Sequence, residues 1–283
     1  MPTFNGNGLA YHYVEAGQGP AVLLLHGFTG SSENWQPLQA ALADGYRVIA
    51  LDLPGHGQSE APSNPARYGM AAVAADVGAL LDHLQSGPAH LLGYSMGGRL
   101  ALYLALTEPH RWRSLILESA SPGLAAAAAR AERRARDEAL AAWIEAEGIE
   151  AFVDRWEALP LFASQRRLPD RVRQQHRTGR VRQQHRTGRL RNRPEGLANS
   201  LRGMGTGVQP SLWAQLAKLS LPALLIAGAL DEKFVGIARQ MAGLLAARPP
   251  HPRLEIVPEV GHTAHLERPA EYASLVRQWL AAH

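Results

Sequence analysis

The chain has 283 residues, with 29 Lys and Arg against 25 Asp and Glu, 12 His, no Cys, and a hydrophobic share of 46%. This length suits one large α/β domain or a core with a substantial insertion, and the lack of cysteine excludes disulfides, thiolate-bound metals and thiol catalysis. No apolar run approaches the roughly 20 residues of a membrane span, and MPTFNGNGLAYHY shows no basic stretch leading into an apolar one, so a cytoplasmic protein without signal peptide or stable membrane insertion is expected.

Strand and helix signals alternate from the start. AVLLLHG (21–27) reads as a buried strand ending in a glycine turn, and YRVIALDLPG (46–55) as another closed by Pro-Gly. MAAVAADVGALLDHL (70–84) has helical apolar spacing. AHLLGYS is then a strand, MGGRLALYLALTEP a helix stopped by Pro109, and RSLILESASPG (113–123) a strand. After a long interval, PALLIAGALDE (222–232) and RLEIVPEVGH (253–262) are strands, followed by the helix EYASLVRQWLAAH. This order predicts an α/β fold, a mostly parallel sheet covered by helices on both faces.

Residues 124–208 differ. Polyalanine, dense charge and the helical spacing of EALAAWIEAEGIEAFVDRWEAL predict a helical lid inserted between core segments 1–123 and 209–283. Eleven of the 29 basic residues fall within 165–193 against one acidic residue, Asp170, so the rest of the chain, with 18 basic and 24 acidic side chains, is net acidic. From Arg171 to Leu190 no aromatic interrupts the basic run, which removes the stacking platforms that single-stranded nucleic acid needs; no nucleic-acid partner is expected. The same segment holds a repeat, RVRQQHRTG at 171–179 and again at 180–188. Nine residues at about 100° each turn the second copy half a revolution from the first, so one unbroken helix cannot present both copies on one face.

Three motifs follow in the order serine, aspartate, histidine. Gly93-Tyr94-Ser95-Met96-Gly97 joins a strand to a helix, the setting in which a sharp turn exposes a serine. Asp231 ends the strand LLIAGALDEKF, and His262 follows a strand in VPEVGHTAHLERP. Sites in open parallel sheets are built at such strand ends. His262 takes the Ser95 proton, while Asp231 fixes its tautomer and balances the imidazolium. His265 is the nearest rival base; His262, directly after Gly261, is preferred. Backbone N–H groups of Phe28, in His-Gly-Phe, and Met96 form a candidate oxyanion hole. No histidines have credible metal-ligand spacing, and Leu-Pro-Gly-His-Gly-Gln-Ser (53–59) reads as a structural turn, not a phosphate loop; neither metal nor cofactor is expected.

Arg99 is the unusual feature, standing four residues after Ser95 and so on the same helix face. A pocket for a neutral ester has no need of that charge. The motifs LHGFTGSSENW, LDLPGHGQSE, GYSMGGRLAL, ESASPGL, WEALPLFASQ, GLANSLRGMGTGVQPSLW, DEKF and GHTAHLERP resemble, across essentially the whole chain, the α/β-hydrolase superfamily. Within it they resemble the 2-succinyl-6-hydroxy-2,4-cyclohexadiene-1-carboxylate synthases of menaquinone biosynthesis. The resemblance implies a cofactor-free lyase that eliminates pyruvate from an enolpyruvyl cyclohexene, with the elbow serine acting as base on carbon. The implied small-molecule substrate carries three carboxylates, which explains fixed arginines. It places them at Arg99, at Arg133, and at a lid arginine that the duplication splits into Arg177 and Arg186. Arg186 is favoured because its copy runs into GRLRNRPEGLANS. Tyr94 and Trp156 match pocket positions. The alternative on the same triad is a carboxylesterase or carbon–carbon bond hydrolase.

Overall fold

The computed structural model describes residues 2–166, 186–247 and 249–283. Eight strands form one sheet in the order β1-β2-β4-β3-β5-β6-β7-β8. β3 (Ala21–Leu25), β4 (Arg47–Leu51), β5 (Ala89–Tyr94), β6 (Trp112–Glu118), β7 (Ala223–Gly228) and β8 (Arg253–Val257) run parallel. β1 (Thr3–Gly6) and β2 (Leu9–Ala16) add an antiparallel edge.

The central strands are apolar on both faces. In β3, Leu23 and Leu25 enter one core while Val22 and Leu24 enter the other, the alternation a pleated strand imposes. The first core is shared with α2 (Met70–His83), α3 (Met96–Thr107) and α6 (Glu232–Leu245), the second with α1 (Gln36–Leu42) and α7 (Pro269–Ala281). The α/β architecture is thus the expected one, with predicted strand and helix centres in place. The β1–β2 hairpin was not anticipated. Its signal is Asn7-Gly8, both at positive φ (49° and 84°), followed by alternating Leu9, Tyr11 and Tyr13, which are buried.

Between β6 and β7 the described segments are helical: α4 (Ala127–Glu157), a 3-10 turn at Pro160–Phe162, a single turn at Ala163–Arg166, α5 (Pro194–Met204) and a 3-10 helix at Trp213–Lys218. The duplicated nonapeptide, and with it Arg177, lies outside the described residues up to Gln183–His185; Arg186 is described. α4 and α5 bury a core of their own, Ala141, Ile144, Phe152, Val153, Leu197, Ala198 and Leu201, above the carboxyl ends of the strands. Gly148 kinks α4 with φ 79° and ψ −179°, a conformation essentially reserved for glycine. The Asn192 side chain ties the start of the second half to the core, accepting from Gly57 N (3.0 Å) and donating to Thr29 O (3.0 Å). Close by, the Gly55 and Gly196 backbones touch so closely that a Cβ on Gly196 would lie 2.5 Å from Gly55 O. Among the described residues no helix is long and apolar enough to cross a membrane.

Candidate active site

Ser95 sits on the turn between β5 and α3 with φ 50° and ψ −106°, a strained conformation for a residue with a side chain. Its neighbours explain why the turn closes: a Cβ on Gly97 would come within 2.2 Å of Leu25 O, and one on Gly93 within 2.4 Å of Gly97 O. Hydrogen has to stand at both positions. The turn leaves Oγ 3.1 Å from His262 Nε2, and His262 Nδ1 is 2.6 Å from Asp231 Oδ2. An ionised carboxylate only accepts, so Nδ1 carries the proton and Nε2 is left to accept from the serine hydroxyl. The other Asp231 oxygen, Oδ1, accepts from Phe234 N (3.3 Å) as the N-cap of α6. Helix start and imidazole together hold the carboxylate. The Phe234 and Tyr94 rings flank the imidazole, with centroids 4.6 and 5.4 Å away.

These residues open on a cavity of about 420 Å³ between the strand ends and α4, α5 and α6. Phe28 and Met96 line it together with Ser95 and His262. Tyr94, Arg99, Arg133 and Trp156 line it as well, so the structure brings these sequence-predicted residues to one place. Trp156 closes one side, its ring 5.3 Å from that of Phe28 and 5.9 Å from that of Phe162. Burial pushes the Tyr94 phenol well above its ordinary range, which keeps it neutral.

The cations are held unequally. Arg133 Nε donates to Asp137 Oδ1 at 2.7 Å. Arg99 Nη1 donates to the neutral amide oxygen of Gln209 at 2.9 Å, and Gln209 Nε2 donates in turn to Ser121 O at 3.3 Å. Burial, then the neighbouring Arg133, pushes Arg99 down to about 10, with Asp137 opposing; it stays charged at neutral pH. Lys233 at the start of α6 is a third cation lining the cavity, and sequence reasoning missed it although DEKF was noted. Among the described residues no carboxylate lines this cavity.

Two predicted positions fall elsewhere. Arg177 lies outside the described residues. Arg186 is not brought to the cavity: its guanidinium is drawn to the carboxylates of α4, 2.7 Å from Asp154 and 3.2 Å from Glu157. In the described part of the lid that follows, Arg189 is paired with Glu157 at 2.8 Å and lies over the Phe162 ring. It lines a second cavity, of about 390 Å³, that shares Phe28, Tyr94 and Phe162 with the first. Three residues after Arg133, Arg136 pairs with Glu132 on the exposed side of α4. His265 does not face Ser95; it is buried against Glu118, with Nδ1 2.8 Å from Oε1. Among the described residues no group of three or more His, Asp or Glu side chains is gathered for a metal ion.

Known proteins of similar sequence share this fold. The α/β hydrolase fold family matches residues 20–269. A Bacillus subtilis (strain 168) protein, provisionally named as a 2-succinyl-6-hydroxy-2,4-cyclohexadiene-1-carboxylate synthase, is 44% identical over 274 residues, 95% of each chain. The Serratia proteamaculans (strain 568) enzyme of that name is 32% identical, covering 92% of this chain and 93% of its own. The solved structure of MenH from S. aureus superposes with a TM-score of 0.87 at 36% identity, covering 96% of this chain and 98% of that one.

Proposed function

We propose, from the premise that the chain belongs to the 2-succinyl-6-hydroxy-2,4-cyclohexadiene-1-carboxylate synthase family of α/β-hydrolases, that it catalyses that family's elimination of pyruvate, with Ser95, His262 and Asp231 as its proton-transfer apparatus. One observation carries the reading: beside a Ser–His–Asp chain stands a cavity lined by three cations, Arg99, Arg133 and Lys233, and by no carboxylate among the described residues. A tricarboxylate needs such a cavity, and a neutral ester does not.

In the proposed reaction Ser95 Oγ removes a carbon-bound proton beside the succinyl carbonyl as its own proton passes to His262 Nε2. Asp231 stabilises the resulting imidazolium. The negative charge that develops on the carbonyl oxygen is received by the N–H groups of Phe28 and Met96. The electron pair then moves through the ring and breaks the carbon–oxygen bond to the enolpyruvyl group, which leaves as pyruvate after taking up a proton. No water is consumed. Arg99, Arg133 and Lys233 hold the carboxylates, and Trp156 with Phe28 and Phe162 covers the ring. Helices α4 and α5 serve as the lid, within 124–208, over the core 1–123 and 209–283.

The same triad suits an ester or carbon–carbon bond hydrolase, so the test separates the two. The enolpyruvyl substrate is supplied and pyruvate is followed with a coupled dehydrogenase. Stoichiometric pyruvate without net water consumption is expected. Absence of pyruvate together with acid release from neutral esters would overturn the lyase reading.

A further inference from the structure

Glu118 and His265 form a buried hydrogen-bonded pair that the proposed reaction does not use. Glu118 is fully buried and His265 is 5% exposed. A carboxylate taken out of water is costly unless its lone pairs are satisfied, and replacing such a pair with apolar groups is often neutral or stabilising. Stability therefore gives little reason for the pair to be here.

Its connections do. Glu118 ends β6, and its carbonyl oxygen accepts from Ser95 N at 2.9 Å, the backbone bond that seats the strained elbow. Its side-chain Oε1 accepts from both the backbone N (3.1 Å) and Nδ1 (2.8 Å) of His265. His265 stands three residues after His262, where the loop runs into the short helix Ala264–Glu267. That loop is closed on itself by Glu267, which accepts from Gly261 N (3.1 Å) and Thr263 Oγ1 (2.8 Å). Main chain and side chain of one residue thus hold Ser95 and the loop of His262 at once. The His265 ring is set among Trp35, Tyr94 and Tyr272, with centroids 4.6, 4.7 and 6.0 Å away, and Tyr94 also faces His262.

We propose that the Glu118–His265 pair is a positioning clamp that sets the separation between Ser95 and His262. The inference rests on the roles proposed for those two residues. Glu118 and His265 touch no reacting atom; they fix the two loops whose side chains do. A shift of about 1 Å in such a geometry is worth on the order of a hundredfold in rate.

The experiment uses the full chain and two readouts: kcat and KM for pyruvate release, and the rate at which an alkyl fluorophosphonate labels Ser95. Glu118→Ala and His265→Ala are expected to lose about ten- to hundredfold in kcat and in labelling rate, with KM nearly unchanged. Glu118→Gln keeps an acceptor at Oε1, and His265→Asn keeps a donor where Nδ1 stood, so both should retain most activity. The decisive variant is Glu118→Leu with His265→Phe, which replaces the pair by apolar side chains and should remain folded even where an alanine variant does not. A clamp predicts a stable protein with the same loss of kcat and labelling. Wild-type kcat and labelling in that folded double variant would overturn the clamp, as would a loss confined to KM. If the wild type itself is not labelled and Ser95→Ala still releases pyruvate, the reading of Ser95 falls and the clamp with it. Labelling of the wild type and of the double variant at equal rates sinks the clamp alone.

Discussion

Arg99 donates its 2.9 Å hydrogen bond to the neutral amide of Gln209, while Arg133 across the same cavity donates to the carboxylate of Asp137. The two arginines are thereby different instruments. Arg133 has a carboxylate within bonding distance, and Arg99 is aimed by a group that leaves its charge to a ligand. Burial and the neighbouring cation pull Arg99 down to about 10, so it gains from an arriving anion more than an exposed arginine would.

Arg99→Ala should therefore weaken turnover of the tricarboxylate by about ten- to 150-fold, the worth of one charge-assisted hydrogen bond. Lysine should restore only part, for want of the planar fork. Gln209→Glu should mimic the loss with Arg99 intact, by neutralising it in place. Steady-state kinetics of pyruvate release check all three, and equal losses on a neutral ester would show that Arg99 supports structure instead.

Ser95→Ala, His262→Ala and Asp231→Asn should each lower kcat by orders of magnitude. Because the three act as one unit, Ser95→Ala with His262→Ala should be little worse than either alone. Near-wild-type pyruvate release from Ser95→Ala would end the assignment of Ser95 as base.

Acid should destabilise the fold through its buried neutral histidines. Burial, then the adjacent His26, pushes His56 down to about 3, and burial pushes His90 down to about 4. In the unfolded chain both titrate near 6.5. Above pH 6.5 both states are neutral and nothing is gained or lost. Below it the unfolded chain binds a proton that the folded one refuses, so stability falls by about 1.4 kcal/mol per pH unit for each histidine, until the folded value is reached. Urea midpoints should drop between pH 6.5 and 4, and His90→Asn should reduce the slope by about one proton. An unchanged slope would contradict the burial argument.

Gly148→Ala tests the kink in α4. Nothing lies within 4 Å of the added methyl, so any effect comes from the backbone. The strain should cost about 1–3 kcal/mol, or straighten the helix and draw Trp156 away from Phe28. Urea denaturation reads the first outcome and a raised KM the second; a variant unchanged in both would mean that the kink is not needed.

The core of this molecule is legible in its residues because strand and helix periodicities are local. So is the Ser95 elbow, whose glycines and flanking apolar runs lie within a dozen residues. What escaped reading is long-range or ambiguous. Gln209 is 110 residues from the arginine it holds, and nothing near either predicts the bond. Lys233 reads as an ordinary first-turn lysine until the start of α6 is seen beside the cavity. His262, preferred as the base from sequence, and His265 stand three residues apart, and their different partners, Asp231 with Ser95 for the one and Glu118 for the other, come from distant parts of the chain. Arg186 was favoured by counting from downstream motifs, which cannot register the carboxylates of Asp154 and Glu157 waiting on α4.

Deleting residues 171–179, one copy of the nonapeptide, should leave kcat and KM within about twofold. The contacts that place the following segment are made by Asn192 and Gly196 with Thr29, Gly55 and Gly57, outside the repeat. The twofold margin corresponds to about 0.4 kcal/mol, below the worth of a single hydrogen bond. A collapse of activity would show that the repeat itself supplies a ligand to the site.

Those anchors also bear on how such a chain tolerates copying errors. A tandem duplication shifts the numbering of everything after it, and in most folds it would drag the next element out of place. Here the next element finds its seat by side-chain and backbone recognition of the core: an amide that fits two loops, and two glycines that fit only each other. If the deletion is silent, the length of the stretch before it is hidden from selection acting on the pocket. Replication slippage can add a unit there and be inherited, while the geometry around Ser95 stays under its own, separate constraint.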